Sequence, residues 1–175
     1  TLIQFMGQNS AEQEKVLLRI LQSFRDHQED GRIHWSIFDI KAELPETLKL
    51  LRYRFEAGRY KLTFDDGAEH IHLYRWAPAA AILGERNLIW FSHTIPEFAA
   101  AAPPLSADDD SKTIEWSISP AGSWQRMIRR LKAKPSYYWF RLWYVEDKNR
   151  ILGLRAESKR ALDFQKLNFL SLNFH

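Results

Sequence analysis

The sequence predicts an α+β fold with a mostly antiparallel sheet, and three observations carry that expectation. Apolar residues recur at helical spacing up to Ala57, then alternate with a period of two after Gly58. Asp66-Gly67 interrupts the alternating stretch with the chemistry of a two-residue hairpin turn. A second helix-then-strands order follows, with Trp124, Met127, Ile128 and Leu131 at one helical face ahead of the aromatic run Tyr137 to Val145. A chain of 175 residues is long enough to bury a core as one domain or two small ones.

The elements follow in order. Ser10 with Gln13 forms a capping-box pattern, and Val16, Leu17, Ile20, Leu21 and Phe24 give one apolar stripe, so a first helix is expected there. Arg32 to Trp35 reads as a brief strand, and Ser36 as the cap of a short helix over Ile37 to Glu43. Pro45 suits the first position of another helix, Glu46 to Ala57, with Leu48, Leu51 and Phe55 buried and Gly58 as its stop. In the hairpin beyond it, a turn at Asp66-Gly67 sets Leu62 against Ile71 and Tyr60 against Leu73. One face is then apolar and the other carries Lys61, Thr63, His70 and His72.

Beyond residue 76 the texture is again mixed. Asn87 to Ser92 and Thr113 to Ile118 read as strands, and the Ala-, Pro- and Asp-rich stretch from Glu97 to Ser111 as an exposed loop or linker. The helix through Trp124 ends at Pro135. Tyr137 to Val145 has the pattern of a central strand, Glu146 to Asn149 of a turn, and Arg150 to Arg155 of a return strand. Glu157 to Leu170 is expected as a closing helix. The division implied is 1–76, a connecting segment 77–112, and a basic, aromatic α+β unit at 113–175.

Composition excludes several chemistries. With no cysteine there is no disulfide scaffold, thiolate nucleophile, zinc finger or iron–sulfur site. No apolar run reaches the roughly 18 residues of a membrane span, and no signal-peptide pattern opens the chain at Thr1. The expectation is a soluble cytoplasmic protein with no membrane partner, as a processed chain or a piece of a longer one. His70 and His72 share a strand face but lack a third ligand, so no metal and no cofactor is expected. Glu157-Ser158-Lys159 matches a nuclease tripeptide literally, but so short a pattern recurs by chance. No catalytic residue is assigned, and the sequence leans away from an enzyme.

Charge points to a partner. Residues 1–76 carry 11 Lys and Arg against 12 Asp and Glu, whereas residues 124–160 carry 11 against 3. Arg126, Arg129, Arg130 and Lys132 lie mostly off the helix's apolar stripe, and Arg141 follows in the aromatic strand. Such cations neutralise phosphates, and aromatic rings stack on bases. Lys49, Tyr53 and Arg54 point away from the buried stripe of the helix before Gly58 and offer donors to a groove. The bland alternative is a solvated basic face with aromatics in the core.

Helix, short strand, helix, helix and hairpin is an order that resembles the winged-helix superfamily over residues 10–76. The resemblance implies that Glu46 to Ala57 is the recognition helix and Asp66-Gly67 the wing tip. The Gly31, Leu50-Leu51, Gly58 and hairpin layout is similar to the winged-helix region of RecQ-type helicases. The second helix-plus-hairpin unit fits another winged helix or an irregular mixed sheet. Together these readings give a non-catalytic nucleic-acid-binding protein, DNA ahead of RNA, or a module of a larger replication, defence or regulatory complex. The competing expectation is a protein-interaction subunit that makes no nucleic-acid contact.

Overall fold

A computed structural model describes residues 31–37, 40–99, 111–120, 135–172 and 174–175. Strands β1 (Arg32–Ile37) and β2 (Ile40–Pro45) form an antiparallel ribbon with Arg32 opposite Pro45 and Ile37 opposite Ile40. The remaining strands are β3 (Lys49–Glu56), β4 (Arg59–Asp65), β5 (Glu69–Trp76), β6 (Thr113–Ile118), β7 (Tyr137–Val145) and β8 (Arg150–Ser158). They make one antiparallel sheet in the order β3-β4-β5-β8-β7-β6. Helices α1 (Ala79–Leu83), α2 (Leu88–Thr94), α3 (Pro96–Ala99) and α4 (Phe164–Leu172), with a 3-10 turn at Glu146–Lys148 between β7 and β8, complete the described elements.

Both faces of the sheet are covered, because side chains alternate along each strand. On the first face Leu62, Phe64, Ile71, Leu73, Leu152 and Leu154 pack with Ile40 and Leu44 of β2 and with Leu167 and Leu170 of α4. On the second face Tyr74, Trp76, Phe140, Leu142 and Ile151 pack under Leu88, Phe91 and Phe98 of the short helices. β5 is hydrogen-bonded to β8 from Glu69 opposite Ser158 to Trp76 opposite Ile151. The segments on either side of the expected connection therefore share one sheet.

The structure is α+β, with strands over Thr113–Ile118 and Tyr137–Val145 where the pattern predicts them. Several elements differ. Glu46 to Ala57, expected as a recognition helix, contains β3 instead, and Ile37 to Glu43 contains most of β2. In β3 the register shifts between Leu50 and Arg52, so one extra residue, Leu51, breaks the alternation. Leu50, Tyr53 and Phe55 then share the first face, and Arg52, Arg54 and Glu56 the second. Without the bulge the strand's period of two would have been visible. Lys, Leu, Arg and Glu also tolerate helix well, so local preference does not reveal the strand.

The Asp66-Gly67 hairpin forms, but with Leu62 opposite Leu73 and Phe64 opposite Ile71, two residues from the expected register. Its turn centres on Gly67-Ala68: Gly67 has φ +84° and the Asp66 N–H donates to the Glu69 carbonyl at 3.3 Å. The Asp66 carboxylate accepts from the Ala68 and Glu69 N–H groups at 3.0 and 2.9 Å, which places Asp66 before the turn rather than in it. A slip of two keeps every side chain on its face, so the apolar and polar sets are those the sequence predicts. Gly58, expected to stop a helix, instead lies in the β3–β4 turn at φ +74°, where a Cβ would sit 2.6 Å from the Ala77 carbonyl oxygen.

Asn87 to Ser92, expected as a strand, enters α2. The Asn87 side chain accepts from the Trp90 N–H at 2.9 Å, a helix N-cap that a short apolar run conceals. The closing helix begins at Phe164 rather than Glu157: Glu157 and Ser158 finish β8, and Asp163 accepts from the Gln165 and Lys166 N–H groups at 2.9 and 3.2 Å. The expected helices from Ser10 and through Trp124 lie outside the described residues, as does 100–110 of the expected linker. Among the described residues no helix is long and apolar enough to cross a membrane.

Candidate functional site

Side chains on the second face change from polar to apolar across the sheet. One row runs Arg54, Lys61, Tyr74, Gly153, Leu142, and the next Arg52, Thr63, His72, Arg155, Phe140. A third holds Lys49, Asp65, His70 and Glu157. The short helices cover the apolar end. At the polar end a cleft of about 340 Å³ opens, with Arg52, Arg54, Arg59, Lys61, His72 and Glu97 in its wall.

Glu97 reaches into the cleft from α3. Its Oε1 lies 2.7 Å from Arg59 Nη2 and 3.5 Å from Lys61 Nζ. Burial pushes the Glu97 carboxyl up, but its own backbone hydrogen bond and the charges of Arg59 and Lys61 outweigh that and hold it below the ordinary range. Lys61 moves down: burial disfavours its charge and Arg155 and Arg59 repel it, while Glu97 opposes them only in part. Its Nζ stands 5.1 Å from the centre of the Tyr74 ring.

Deeper in, His72 Nδ1 is 3.1 Å from the Thr63 hydroxyl, and His72 Nε2 is 3.5 Å from Glu157 Oε1. Burial lowers the imidazole's pKa against the raising effect of Glu157, so His72 is held neutral near pH 7. Burial raises Glu157, but the His72 hydrogen bond and the Arg155 charge outweigh it and leave the carboxyl low. Arg155 Nη2 donates to Glu157 Oε2 at 2.5 Å. At the rim His70 Nδ1 is 3.8 Å from Asp65 Oδ1. Among the described residues no group of three or more His, Cys, Asp and Glu side chains could hold a metal ion.

Of the residues expected to touch nucleic acid, Lys49, Tyr53 and Arg54 lie together on β3, an exposed edge strand rather than a helix. Arg54 pairs with Glu56 at 2.5 Å, whereas Lys49 and Arg52 have no ion-pair partner among the described residues. Tyr53 is 64% exposed and stacks on Phe55 with centroids 5.3 Å apart. Arg141 lies elsewhere, on the first face of β7, where its guanidinium donates to Ser171 Oγ at 2.9 Å and stands 3.8 Å from Glu115. Arg126, Arg129, Arg130 and Lys132 lie outside the described residues.

Sequence reasoning missed Arg52, Arg59, Lys61 and Arg155 as members of one surface. The signal for part of it was the polar hairpin face of Lys61, Thr63, His70 and His72. The partners from β3, α3 and β8 are distant along the chain, 11 residues for Arg52 and Thr63, 38 for Arg59 and Glu97 and 83 for His72 and Arg155, and they meet only in the folded structure.

The fold and cleft define an antiparallel α+β protein with a cationic groove at one sheet edge. No family model matches the chain, and no curated protein or solved structure resembles it closely enough to count as a relative.

Proposed function

We propose that this protein binds nucleic acid, as a single strand, without catalysing a reaction on it. The observation that carries the reading is the group of cations on one face of neighbouring strands: Lys49, Arg52 and Arg54 on β3, Arg59 and Lys61 on β4. Alternate residues of a strand stand roughly 6.6 Å apart, so the group offers a line of charge that an extended phosphate backbone can follow. Tyr53, exposed at the same edge, is the stacking surface for a base. Lys49, Tyr53 and Arg54, expected to offer donors to a groove from a helix, would instead meet a single strand from β3.

Fluorescence anisotropy with a labelled single-stranded oligonucleotide tests the reading. Affinity should fall with salt between about 50 and 200 mM, and the paired change Arg52→Ala with Arg54→Ala should reduce the salt slope by roughly 1 to 2. Affinity that this double variant leaves unaltered would refute the proposal.

The second reading, a protein-interaction subunit, is favoured by the outer edge of β3. Among the described residues no strand pairs with that edge, and Leu51 and Tyr53 beside it are 60% and 64% exposed. In that case the β3 variants lose a protein partner and leave oligonucleotide binding unaffected.

A further inference from the structure

Two histidines stand in the wall of the cationic cleft. His70 and His72 alternate along β5, so both imidazoles lie on the second face. Arg52, Arg54, Arg59 and Lys61 line the same cleft against the carboxylates of Glu56 and Glu97, a surplus of two positive charges. Two imidazolium charges would double that surplus. Imidazole is the side chain whose charge ordinarily changes near neutral pH, so the strength of this surface is open to control by protons.

Both neighbouring strands bring charge to these rings. Opposite His72 on β4 is Thr63, its hydroxyl 3.1 Å from Nδ1, with Lys61 and Asp65 on either side along that strand. Opposite it on β8 is Arg155, and Glu157 stands 3.5 Å from Nε2. Along β5 the Tyr74 ring centre is 6.2 Å from that of His72. His70 has Asp65 on β4, 3.8 Å from its Nδ1, and Glu157 opposite it on β8. From α3 comes Glu97, on Arg59 and Lys61. Each imidazole therefore has a carboxylate at hand for its charged form. In the free protein burial, with Arg155 and Lys61, holds His72 neutral near pH 7 in spite of Glu157. A phosphate chain in the cleft adds negative charge and shifts that balance towards the imidazolium.

We propose that His70 and His72 make the cleft's hold on nucleic acid depend on pH, taking up protons as an oligonucleotide binds. The inference rests on the nucleic-acid reading above and adds the regulation of that site. Proton and oligonucleotide each strengthen the binding of the other by the same factor, so mild acid tightens the complex. Charged His72 keeps its surroundings, with Nε2–H towards Glu157 and Nδ1–H towards the Thr63 hydroxyl oxygen. Its charge reaches the phosphates through space, and no contact between ring and ligand is needed.

The test is fluorescence anisotropy with a labelled oligothymidylate, titrated into the full chain at fixed ionic strength. Its bases and phosphodiesters do not titrate in this range. Affinity should rise about tenfold between about pH 7.5 and 5.5, and the paired change His70→Gln with His72→Gln should cut that rise to under about twofold. Proton NMR of the unsubstituted chain needs no variant: the His70 and His72 rings should titrate at higher pH with saturating oligothymidylate than without it. Affinity that is flat or falls with acid, a rise that the double variant retains, or ring titrations that the oligonucleotide leaves in place overturns the inference while the nucleic-acid reading stands. Binding at no pH removes both.

Discussion

Two half-buried lysines, Lys166 and Lys61, serve the molecule in opposite ways. Their side chains are similarly covered, 20% and 24% exposed. Lys166 of α4 is held between two carboxylates, Asp66 at 2.9 Å and Glu69 at 2.8 Å, and fastens the helix to the β4–β5 turn. Burial pulls its pKa down, but the two carboxylates outweigh it and the ammonium ends above its ordinary value. Lys61 shares a single carboxylate, Glu97, with Arg59 and has Arg155 nearby, and its pKa falls. The first cluster is satisfied from within. The second has positive charge left over, and that surplus makes the cleft the candidate site, whereas the Lys166 cluster is only a fastening.

Removing each lysine should separate them most sharply. Lys166→Met leaves Asp66 and Glu69 partly buried without their cation and should cost about 2 kcal/mol in urea unfolding. Lys61→Met leaves Glu97 still paired with Arg59, and should cost under about 1 kcal/mol while weakening oligonucleotide binding. Equal losses of stability in the two variants would erase the distinction.

Acid should act on the Lys166 cluster as well as on Glu97 and Glu157 of the cleft, whose carboxyls are also held low. Burial raises the Asp66 carboxyl, but Lys166 and the Glu69 and Ala68 N–H groups outweigh it and set the folded pKa below the unfolded one. Its contribution is therefore complete above the unfolded value, about pH 3.9, and is lost as pH falls through the lower folded value. Lys166 has the opposite sign: its raised pKa contributes fully below about pH 10.4 and is lost as pH rises through the folded value. Unfolding midpoints of Lys166→Met across pH should therefore be flatter than those of the parent at both extremes. A parent protein with no acid limb would contradict the Asp66 contact.

In the cleft, His72 has a lowered pKa, so its neutral form favours folding fully above about pH 6.5 and loses that advantage as pH falls towards the folded value. His72→Gln should lessen the fall in stability between about pH 7 and 5. The smallest expected change is a gain. Tyr74→Phe removes a buried hydroxyl without a partner and should raise stability by up to about 1 kcal/mol, seen as a higher Tm. A matched loss there would mean that the hydroxyl already has a structural task.

The strands that pair within one aromatic or hairpin stretch were legible because their signals are local. Thr113–Ile118 and Tyr137–Val145 are apolar at the spacing a strand needs, and Asp66-Gly67 marks the β4–β5 turn. β3 was not legible, because the bulge at Leu51 interrupts its alternation and its only described strand partner, β4, rewards it across a turn. α2 was obscured by an apolar run that suits a strand or a helix equally, and the Asn87 cap decided between them. Of the site, the sequence marked Lys49, Tyr53, Arg54 and the polar hairpin face, but not the surface that joins them.

By itself the sequence determined which residues are apolar on each face of the β4–β5 hairpin, the absence of cysteine chemistry and the polar set Lys61, Thr63, His70 and His72. Those follow from side-chain chemistry and from a period that any register of the right parity preserves. Tertiary structure decided that β5 lies against β8, that Arg155 therefore stands beside His72, and that Glu97 comes down over Arg59 and Lys61. Such contacts depend on strand order and on burial across distant segments. The charge state of a lysine or an imidazole is set by those neighbours, which is why the cleft exists only in the folded chain.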